Sequence, residues 1–194
     1  MKLCFASNNE HKLTEIRQMV GDQYQIVSLQ EIGCTEELPE EQTTLEGNSR
    51  QKAEYVWQHF GVNCFADDTG LEVFALNGEP GVYSARYAGP QRSNLDNMAL
   101  LLQNLAGKPN RNAQFRTSIT LILNGQEEQF DGIVTGKITE APAGDKGFGY
   151  DPIFIPDGSD RTFAQMPAEE KNKISHRGRA VQQLAHFLKN QKIR

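Results

Sequence analysis

The hydrophobic residues of this chain recur at two spacings, one typical of strands and one typical of helices. Lys2–Ala6 is a short apolar run that predicts a buried strand and ends at polar Ser7. Leu13, Ile16 and Val20 follow at helical spacing. The pattern therefore predicts that the chain opens with a strand, a polar loop and a helix.

The same alternation of elements continues to the middle of the chain. A short strand is predicted at Tyr24–Leu29, and a helix follows whose apolar face consists of Ala53, Val56, Trp57 and Phe60. Gly61 stands in the place that a helix C-cap favours. Cys64–Ala66 predicts a strand that ends just before two acids. A further half-buried strand is predicted from the alternating positions Leu71, Val73 and Ala75.

The second half of the chain adds two helices and a hairpin. One amphipathic helix follows Asn94, and its apolar face consists of Leu95, Met98, Leu101, Leu102 and Leu105. Phe115–Leu123 and Gln129–Ile138 are apolar, β-branched runs joined through Asn124-Gly125, a strong hairpin signal. The last helix has an apolar face of Val181, Leu184, Ala185 and Leu188 and ends in the cations Lys189, Lys192 and Arg194. This order predicts an α/β fold with a mixed sheet.

Composition and charge narrow the kind of protein this is. The 194 residues are 38% hydrophobic, which fits one sizeable globular domain. The net charge of −5 disfavours a nucleic-acid-binding protein, because an acidic surface does not attract a phosphate backbone. The three cysteines form no disulfide or zinc pattern, and no apolar run is long enough for a signal peptide core or a membrane span. We expect a soluble, cytoplasmic protein that binds neither nucleic acid nor membrane.

Two adjacent carboxylates, Asp67 and Asp68, are the most informative residues. The strand predicted at Cys64–Ala66 would hold them where a magnesium ion finds hard oxygen ligands. If the strand continues in extended form, the two side chains face opposite sides and only one points into a site. A solvated turn is the alternative, because Asp, Thr and Gly are common turn residues. The acids therefore predict either a metal-dependent site or a surface turn.

Two polar segments precede these acids. Ser7–Lys12 lies at a strand-to-helix junction, where backbone N–H groups and the helix dipole favour a phosphate. An ordinary N-capped helix accounts for the same residues. The acidic segment with Glu36, Glu37, Glu40 and Glu41 is predicted to be a solvated loop.

Two segments near the end of the chain suit the binding of a nucleotide base. Gly144–Pro152 combines flexible backbone with two aromatic rings, which fits base stacking but also a plain loop with Phe148 in the core. The run that follows offers Lys171, His176 and Arg177 as donors to phosphate or base oxygens. No Gly-x-Ser-x-Gly elbow accompanies Ser175 and His176, so acyl transfer is disfavoured.

Five motifs, taken in order, resemble one known family. They are Ser7-Asn8-Asn9-Glu10-His11-Lys12, Ala66-Asp67-Asp68-Thr69-Gly70-Leu71, Pro80-Gly81-Val82-Tyr83-Ser84-Ala85-Arg86-Tyr87, Gly147-Phe148-Gly149-Tyr150-Asp151-Pro152 and Ile174-Ser175-His176-Arg177-Gly178. In combination they strongly resemble the Ham1-type inosine triphosphate pyrophosphatase family. The resemblance covers nearly the whole chain.

The resemblance implies a fold and an activity. The fold would be a long mixed β-sheet with flanking helices that form two lobes, and residues 1–194 would be a single catalytic domain with a central cleft. The activity would be hydrolysis of non-canonical purine nucleoside triphosphates (ITP, dITP and XTP) to the monophosphate and pyrophosphate. The enzyme would be a Mg²⁺-dependent homodimer.

The resemblance also assigns roles to residues. The phosphates would be held by Ser7, Asn8, Asn9, Glu10, His11 and Lys12, and Lys52 and Thr69 would contact the substrate. Asp68 would be the general base and a magnesium ligand. The purine pocket would consist of Phe148, Gly149, Tyr150, Asp151, Lys171, His176 and Arg177. The position expected for a second metal-binding glutamate is Gly47 in this chain, so Glu46 beside it is the candidate ligand.

Two other functions remain open at this point. The first is a nucleotide-binding sensor that keeps the pocket and turns over poorly, because Gly47 removes a metal ligand. The second is a nucleic-acid-binding module that uses the cationic cluster between Lys171 and Arg179. The acidic balance of the chain disfavours the second.

Overall fold

The computed structural model of the chain describes residues 1–20, 22 and 24–191. Lys192 and Arg194, which the sequence places at the end of the last helix, lie outside these residues. The helices are α1 (Glu10–Val20), α2 (Leu45–Phe60), α3 (Asn94–Leu105), α4 (Ala168–Ile174) and α5 (His176–Asn190). The strands are β1 (Lys2–Phe5), β2 (Gln25–Val27), β3 (Cys64–Val73), β4 (Pro80–Gly81), β5 (Asn112–Leu123), β6 (Gln126–Ile138) and β7 (Phe154–Pro156).

The strands form one mixed sheet, as the sequence predicts. Their order is β2-β1-β3-β5-β6-β7, and β4 pairs with β3. β1 is parallel to both β2 and β3, whereas β4 runs antiparallel to β3 and β7 runs antiparallel to β6. This arrangement confirms the α/β class. No helix among the described residues is long and apolar enough to cross a membrane.

The chain divides into two compact units, each assembled from separate stretches of sequence. Unit 1 comprises Met1–Asp68, Thr117–Gly132 and Arg177–Arg194, and unit 2 comprises Thr69–Arg116 and Ile133–His176. The chain passes from one unit to the other within β3, β5 and β6, and again at the start of α5.

In unit 1 the sheet is covered on both faces. Phe65 of β3 belongs to a core cluster with Ile16 of α1 and Leu184 of α5. Its neighbour Ala66 belongs to a second cluster with Val56 of α2. Successive strand residues point to opposite faces, so each face has its own core. Helices α1 and α5 therefore cover one face, and α2 covers the other.

Unit 2 has one core cluster. Helix α3 contributes Met98, Leu101 and Leu105 to it, as its spacing predicts. Leu95, which the same pattern placed on the apolar face, is instead 76% exposed. Phe115, Phe154 and Phe163 pack against one another in this cluster, with ring centroids 4.7–6.2 Å apart. These three rings therefore join β5, β7 and the segment that follows β7 within one core.

The predicted end of a strand at Ala66 is wrong. β3 continues through Asp67, Asp68 and Gly70 as far as Val73, so the acids lie in the middle of a strand. The reading of this stretch as a surface turn is also wrong, because both acids are buried. Helix α4 was not predicted, since its seven residues are too short and polar to show a period.

Two local predictions are confirmed by backbone geometry. Asn124 and Gly125 join β5 to β6 with φ values of 52° and 80°, which suits a two-residue hairpin turn with positive φ at both positions. Gly61 follows α2 with φ 62°, and its N–H donates to Trp57 O. A left-handed residue at this position is the usual end of a helix.

Candidate functional site

The carboxylates of Asp67 and Asp68 face opposite sides of β3, as expected for adjacent residues of an extended strand. The Oδ1 atom of Asp67 accepts from Lys12 Nζ of α1 at 3.0 Å, and its Oδ2 atom accepts from Arg177 Nε of α5 at 3.2 Å. The Oδ2 atom of Asp68 accepts from Asn48 Nδ2 of α2 at 3.1 Å. Each acid thus belongs to a different helix-covered face of unit 1.

A closed ion-pair network surrounds Asp67. Arg177 also donates through Nη1 to Glu15, so its guanidinium joins two carboxylates from different elements. Burial alone would raise the pKa of Asp67, but the cations of Lys12 and Arg177 outweigh it and hold that pKa well below its usual range. Asp67 is fully buried and Arg177 is 1% exposed. Asp67 is therefore held as a carboxylate between two cations on this side of β3.

The other face of β3 carries Asp68 and Lys52. Lys52 Nζ donates to Glu40 Oε1 at 2.8 Å and to Asp67 O at 2.7 Å, and it lies 4.0 Å from Asp68 Oδ1. Burial raises the pKa of Asp68, the cations of Lys52 and Lys12 lower it, and Glu40 raises it again; the net direction is upward. A carboxylate with a raised pKa is a better proton acceptor than an ordinary one.

Contacts with the first turn of α2 hold the preceding segment so that Glu40 lies on the same side of β3 as Asp68. Thr44 caps the helix by accepting from Gly47 N, and Gln42 N donates to Asn48 Oδ1 at 2.9 Å. A Cβ atom on Gly47 would lie 2.8 Å from the Cβ of Gln42, so a side chain at that position would push the preceding segment away. The glycine therefore lets the acidic segment lie directly against α2.

The prediction that the acidic segment is merely a solvated loop is wrong for Glu40. Besides the contact of Glu40 with Lys52, Tyr55 donates to Glu36, and Gln51 donates to Glu41 at 3.3 Å. The segment is irregular, but three of its acids contact α2. Sequence reasoning missed Glu40 because its partner lies 12 positions further along the chain.

Glu46, the candidate second metal ligand, lies in the first turn of α2. Its main-chain carbonyl accepts from Ser49 Oγ and Gln129 Nε2. A ligand role for its side chain stays a prediction. No group of three acidic, His or Cys side chains able to hold a metal occurs among the described residues.

The Ser7–Lys12 segment has the geometry of a capped helix start. Ser7 Oγ accepts from Asn9 N and Asn9 Oδ1 accepts from Lys12 N, both at 3.1 Å. The capping alternative is therefore correct for these two side chains. The helix start still leaves backbone N–H groups without helical partners beside exposed Asn8, Glu10 and His11.

Unit 2 contains the predicted purine-pocket residues. Asp151 Oδ2 accepts from Lys171 Nζ at 2.7 Å and from Phe148 N at 3.1 Å. Lys171 Nζ also lies 5.0 Å from the centroid of the Phe148 ring. Gly147 has φ 69°, and a Cβ on it would overlap the carboxylate of Asp151. The glycine-rich turn is therefore shaped around a buried Asp151–Lys171 ion pair.

Tyr150 and His176 have different surroundings. The hydroxyl of Tyr150 donates to Ser84 O at 2.7 Å, and burial raises its pKa. Phe148 is half-buried, so Tyr150, rather than Phe148, anchors this loop in the core. His176 stacks on Phe115 with the ring centroids 4.6 Å apart. Gly149, which precedes Tyr150, has a positive φ of 60°. Thr69, a predicted substrate contact, is half-buried and lies within β3.

Comparison with known proteins identifies the family to which this geometry belongs. The sequence profile of the Ham1 family matches residues 3–187. The chain belongs to the Ham1 family. This confirms the resemblance that the five sequence motifs indicated.

Curated Ham1 relatives match over almost their full length. A dITP/XTP pyrophosphatase of Flavobacterium johnsoniae is 57% identical over 188 residues, which cover 97% of this chain and 98% of that one. A dITP/XTP pyrophosphatase of Bacillus subtilis is 43% identical and covers 94% of both chains.

Solved structures of the Ham1 family agree in fold. The Staphylococcus aureus Ham1 protein superposes with a TM-score of 0.90 at 38% identity and covers 99% of this chain and all of its own. A Coxiella burnetii HAM1 protein gives a TM-score of 0.89 at 34% identity, with 97% and 98% coverage. The long mixed sheet with flanking helices is therefore the Ham1 fold.

Proposed function

We propose that this protein hydrolyses non-canonical purine nucleoside triphosphates, namely ITP, dITP and XTP, to the nucleoside monophosphate and pyrophosphate. The observation that carries the proposal is the buried carboxylate of Asp68, with a raised pKa, held beside Asn48 and Lys52. The curated relatives are named dITP/XTP pyrophosphatases, which supports dITP and XTP among these substrates. The protein would thereby remove damaged purines from the nucleotide pool.

Asp68 is the base in this proposal. Water that attacks the α-phosphorus must lose a proton as the phosphorus–oxygen bond forms, and Asp68 accepts it. The pyrophosphate leaves with the electron pair of the broken α–β bond. Lys52 stabilises the negative charge that develops, and the N–H groups at the start of α1 bind phosphate oxygens.

The donor set on the α2 face fits a magnesium ion. Magnesium is usually held by one or two carboxylates together with substrate phosphates and keeps several waters. Asp68 and Glu40 supply two carboxylates that both contact or face Lys52. When bound, the metal would neutralise phosphate charge and polarise the α-phosphate. We propose Glu40 as the second ligand, with Glu46, the candidate from the sequence, as the alternative.

In this proposal the Asp151–Lys171 ion pair of unit 2 recognises the base. Asp151 holds the ammonium group of Lys171, which can donate to an oxygen acceptor, and the Phe148 ring offers a stacking surface. An amino group at the same purine position would leave that donor unpaired, which disfavours adenine. His176 and Arg177 remain predicted purine contacts. The contacts described for Arg177 are with Glu15 and Asp67.

The proposal extends to the setting of the enzyme. It includes a homodimer in the cytoplasm, a single catalytic domain with two lobes and a central cleft, and no nucleic-acid or membrane partner. The net charge of −5 supports the absence of a nucleic-acid partner.

The test is release of pyrophosphate and orthophosphate from ITP, XTP, dITP, ATP and GTP, with magnesium and with a chelator. We expect magnesium-dependent pyrophosphate from the first three substrates and little product from ATP or GTP. ITP binding without pyrophosphate release would replace this proposal with the nucleotide sensor. Orthophosphate as the first product would contradict attack on the α-phosphorus.

A further inference from the structure

Ser118, in the middle of β5, has a buried hydroxyl that stands out in unit 1. Its side chain is fully buried, and its Oγ has no hydrogen-bond partner among the described residues. Thr120, two positions further on, is equally buried, but its Oγ1 lies 2.7 Å from Ser49 Oγ and 3.0 Å from Gln129 Nε2. A buried hydroxyl without a partner is costly and usually indicates an ordered water or a ligand.

The hydroxyl of Ser118 lies on the same face of the sheet as Asp68. In β5, residues 118, 120 and 122 share one face; Thr120 contacts α2, and Ile122 belongs to the core cluster under α2. In β3, Ala66 and Asp68 share the face that α2 covers. β3 and β5 are neighbours in the sheet.

The direction of the strands places these two side chains at the same level. The start of β3 lies beside the end of β5, because Asn124 N donates to Asn63 Oδ1 at 2.8 Å. Moving forward along β3 from this contact therefore means moving backward along β5. Asp68, near the middle of β3, is thus close to Ser118 in the middle of β5.

The distance between Asp68 and Lys52 also suits a bridging water molecule. Lys52 Nζ is 4.0 Å from Asp68 Oδ1, which is too long for a direct hydrogen bond. Polar atoms separated by this distance are commonly bridged by water. Ser118, Asp68 and Lys52 together offer a hydroxyl, a carboxylate oxygen and an ammonium group, and a buried water needs two to four such partners.

We infer that Ser118 binds an ordered water that it shares with Asp68 and Lys52, and that this water fixes the orientation of the Asp68 carboxylate. Ser118 is thus a positioning residue that acts through water. The catalytic part of this inference rests on the proposed function. The water site itself does not depend on activity, so the two parts can be tested separately.

The kinetic test compares Ser118→Ala with Ser118→Thr in the magnesium-dependent ITP assay. Loss of one hydrogen bond to the base should lower kcat about three- to tenfold in Ser118→Ala and leave KM unchanged. Ser118→Thr keeps the hydroxyl and should stay within about twofold of the wild type. If Ser118→Ala has the kcat of the wild type and a higher Tm, the hydroxyl is only an unsatisfied group and the inference is wrong.

Thr120→Val is the matched control, because it removes a buried hydroxyl from the same strand and face that already has protein partners. It should lower Tm and leave kcat within about twofold. A loss of kcat equal to that of Ser118→Ala would show a general effect of disturbing β5 and would overturn the inference.

A crystal structure of the wild type separates this inference from the proposed function. We expect density for a water within 3.2 Å of both Ser118 Oγ and Asp68 Oδ1 and its loss in Ser118→Ala. A protein that has this water but releases no pyrophosphate would disprove the proposed function and keep the water site. An empty or directly bonded Ser118 hydroxyl would disprove the site.

Discussion

Asp67 and Asp68 are adjacent in sequence, but their contacts differ, so substituting Asp68 should affect activity and substituting Asp67 should affect stability. Asp68→Asn keeps the shape of the side chain and removes the proton acceptor, so we expect kcat to fall about 10²- to 10⁴-fold with little change in Tm. Asp67→Asn leaves buried Arg177 and half-buried Lys12 beside a neutral group, so we expect about 3–5 kcal/mol of lost stability. Steady-state kinetics and denaturant unfolding measure the two effects.

Each variant is the control for the other. If Asp68→Asn loses as much stability as Asp67→Asn, the Asp68 carboxylate has a structural role. Asp67→Asn with normal stability would contradict the closed network described around Arg177.

Glu40 and Glu46 form a second pair for comparison. If Glu40 is the metal ligand, Glu40→Gln should raise the magnesium concentration needed for half-maximal activity by tenfold or more, while Glu46→Gln should change it by less than twofold. The measurement is a magnesium titration at saturating ITP. The reverse order of effects would return the ligand role to Glu46.

Single residues were predicted from the sequence where the signal is local. Asp68 stood out because two adjacent acids followed an apolar run, Asp151 because it lies in a glycine-rich motif, and Lys171 because it belongs to a cationic run. Glu15 gave no such signal, because its partner, Arg177, is 162 positions away along the chain. Asn48 was missed for the same reason, since its role appears only when α2 is placed over Asp68.

At the scale of elements, α2 supports the site through its first turn. Thr44 caps the helix that carries Asn48 and Lys52. We expect Thr44→Ala to cost about 1 kcal/mol of stability, because the N–H of Gly47 loses its acceptor. Thermal unfolding checks the value, and Thr44→Ser should retain most of the stability. An equal loss in both variants would show that the methyl group, rather than the cap, matters.

Periodicity predicted α1, α2, α3, α5 and the β5–β6 hairpin, since each is encoded by residues close in sequence. It failed for β3, because Asp67, Asp68 and Gly70 within four residues are typical of a turn. Pairing with β1 and β4 keeps this stretch extended, and cations on α1, α2 and α5 compensate the charges of its buried acids. Those cations cannot be assigned to the acids before the fold is known.

At the scale of the whole molecule, two buried thiols make stability sensitive to alkaline pH. Burial, together with the neighbouring thiols, raises the pKa of both Cys4 and Cys64 to about 12, whereas a thiol of the unfolded chain ionises near pH 8.5. Between these values the unfolded state has lost the proton and the native state retains it. The free energy of unfolding should therefore fall as pH rises from about 8.5 to about 12.

A Cys4→Ala, Cys64→Ala double variant separates this contribution from the tyrosines and lysines that titrate in the same range. Its free energy of unfolding, measured by denaturant titration at several pH values, should decline less steeply than that of the wild type. Parallel curves for the two proteins would contradict the shifted thiols.

The division of the chain into interleaved units has a consequence for synthesis. Unit 1 begins at the first residue, yet it is completed only by the stretch that starts at Arg177. A nascent chain that has not reached this residue already contains Asp67 and Glu15 but lacks the guanidinium that joins them. During synthesis from the N-terminus, Arg177 is therefore added after both of the carboxylates that it joins. The core of unit 1 around Asp67 and Glu15 can form completely only once Arg177 has been synthesised.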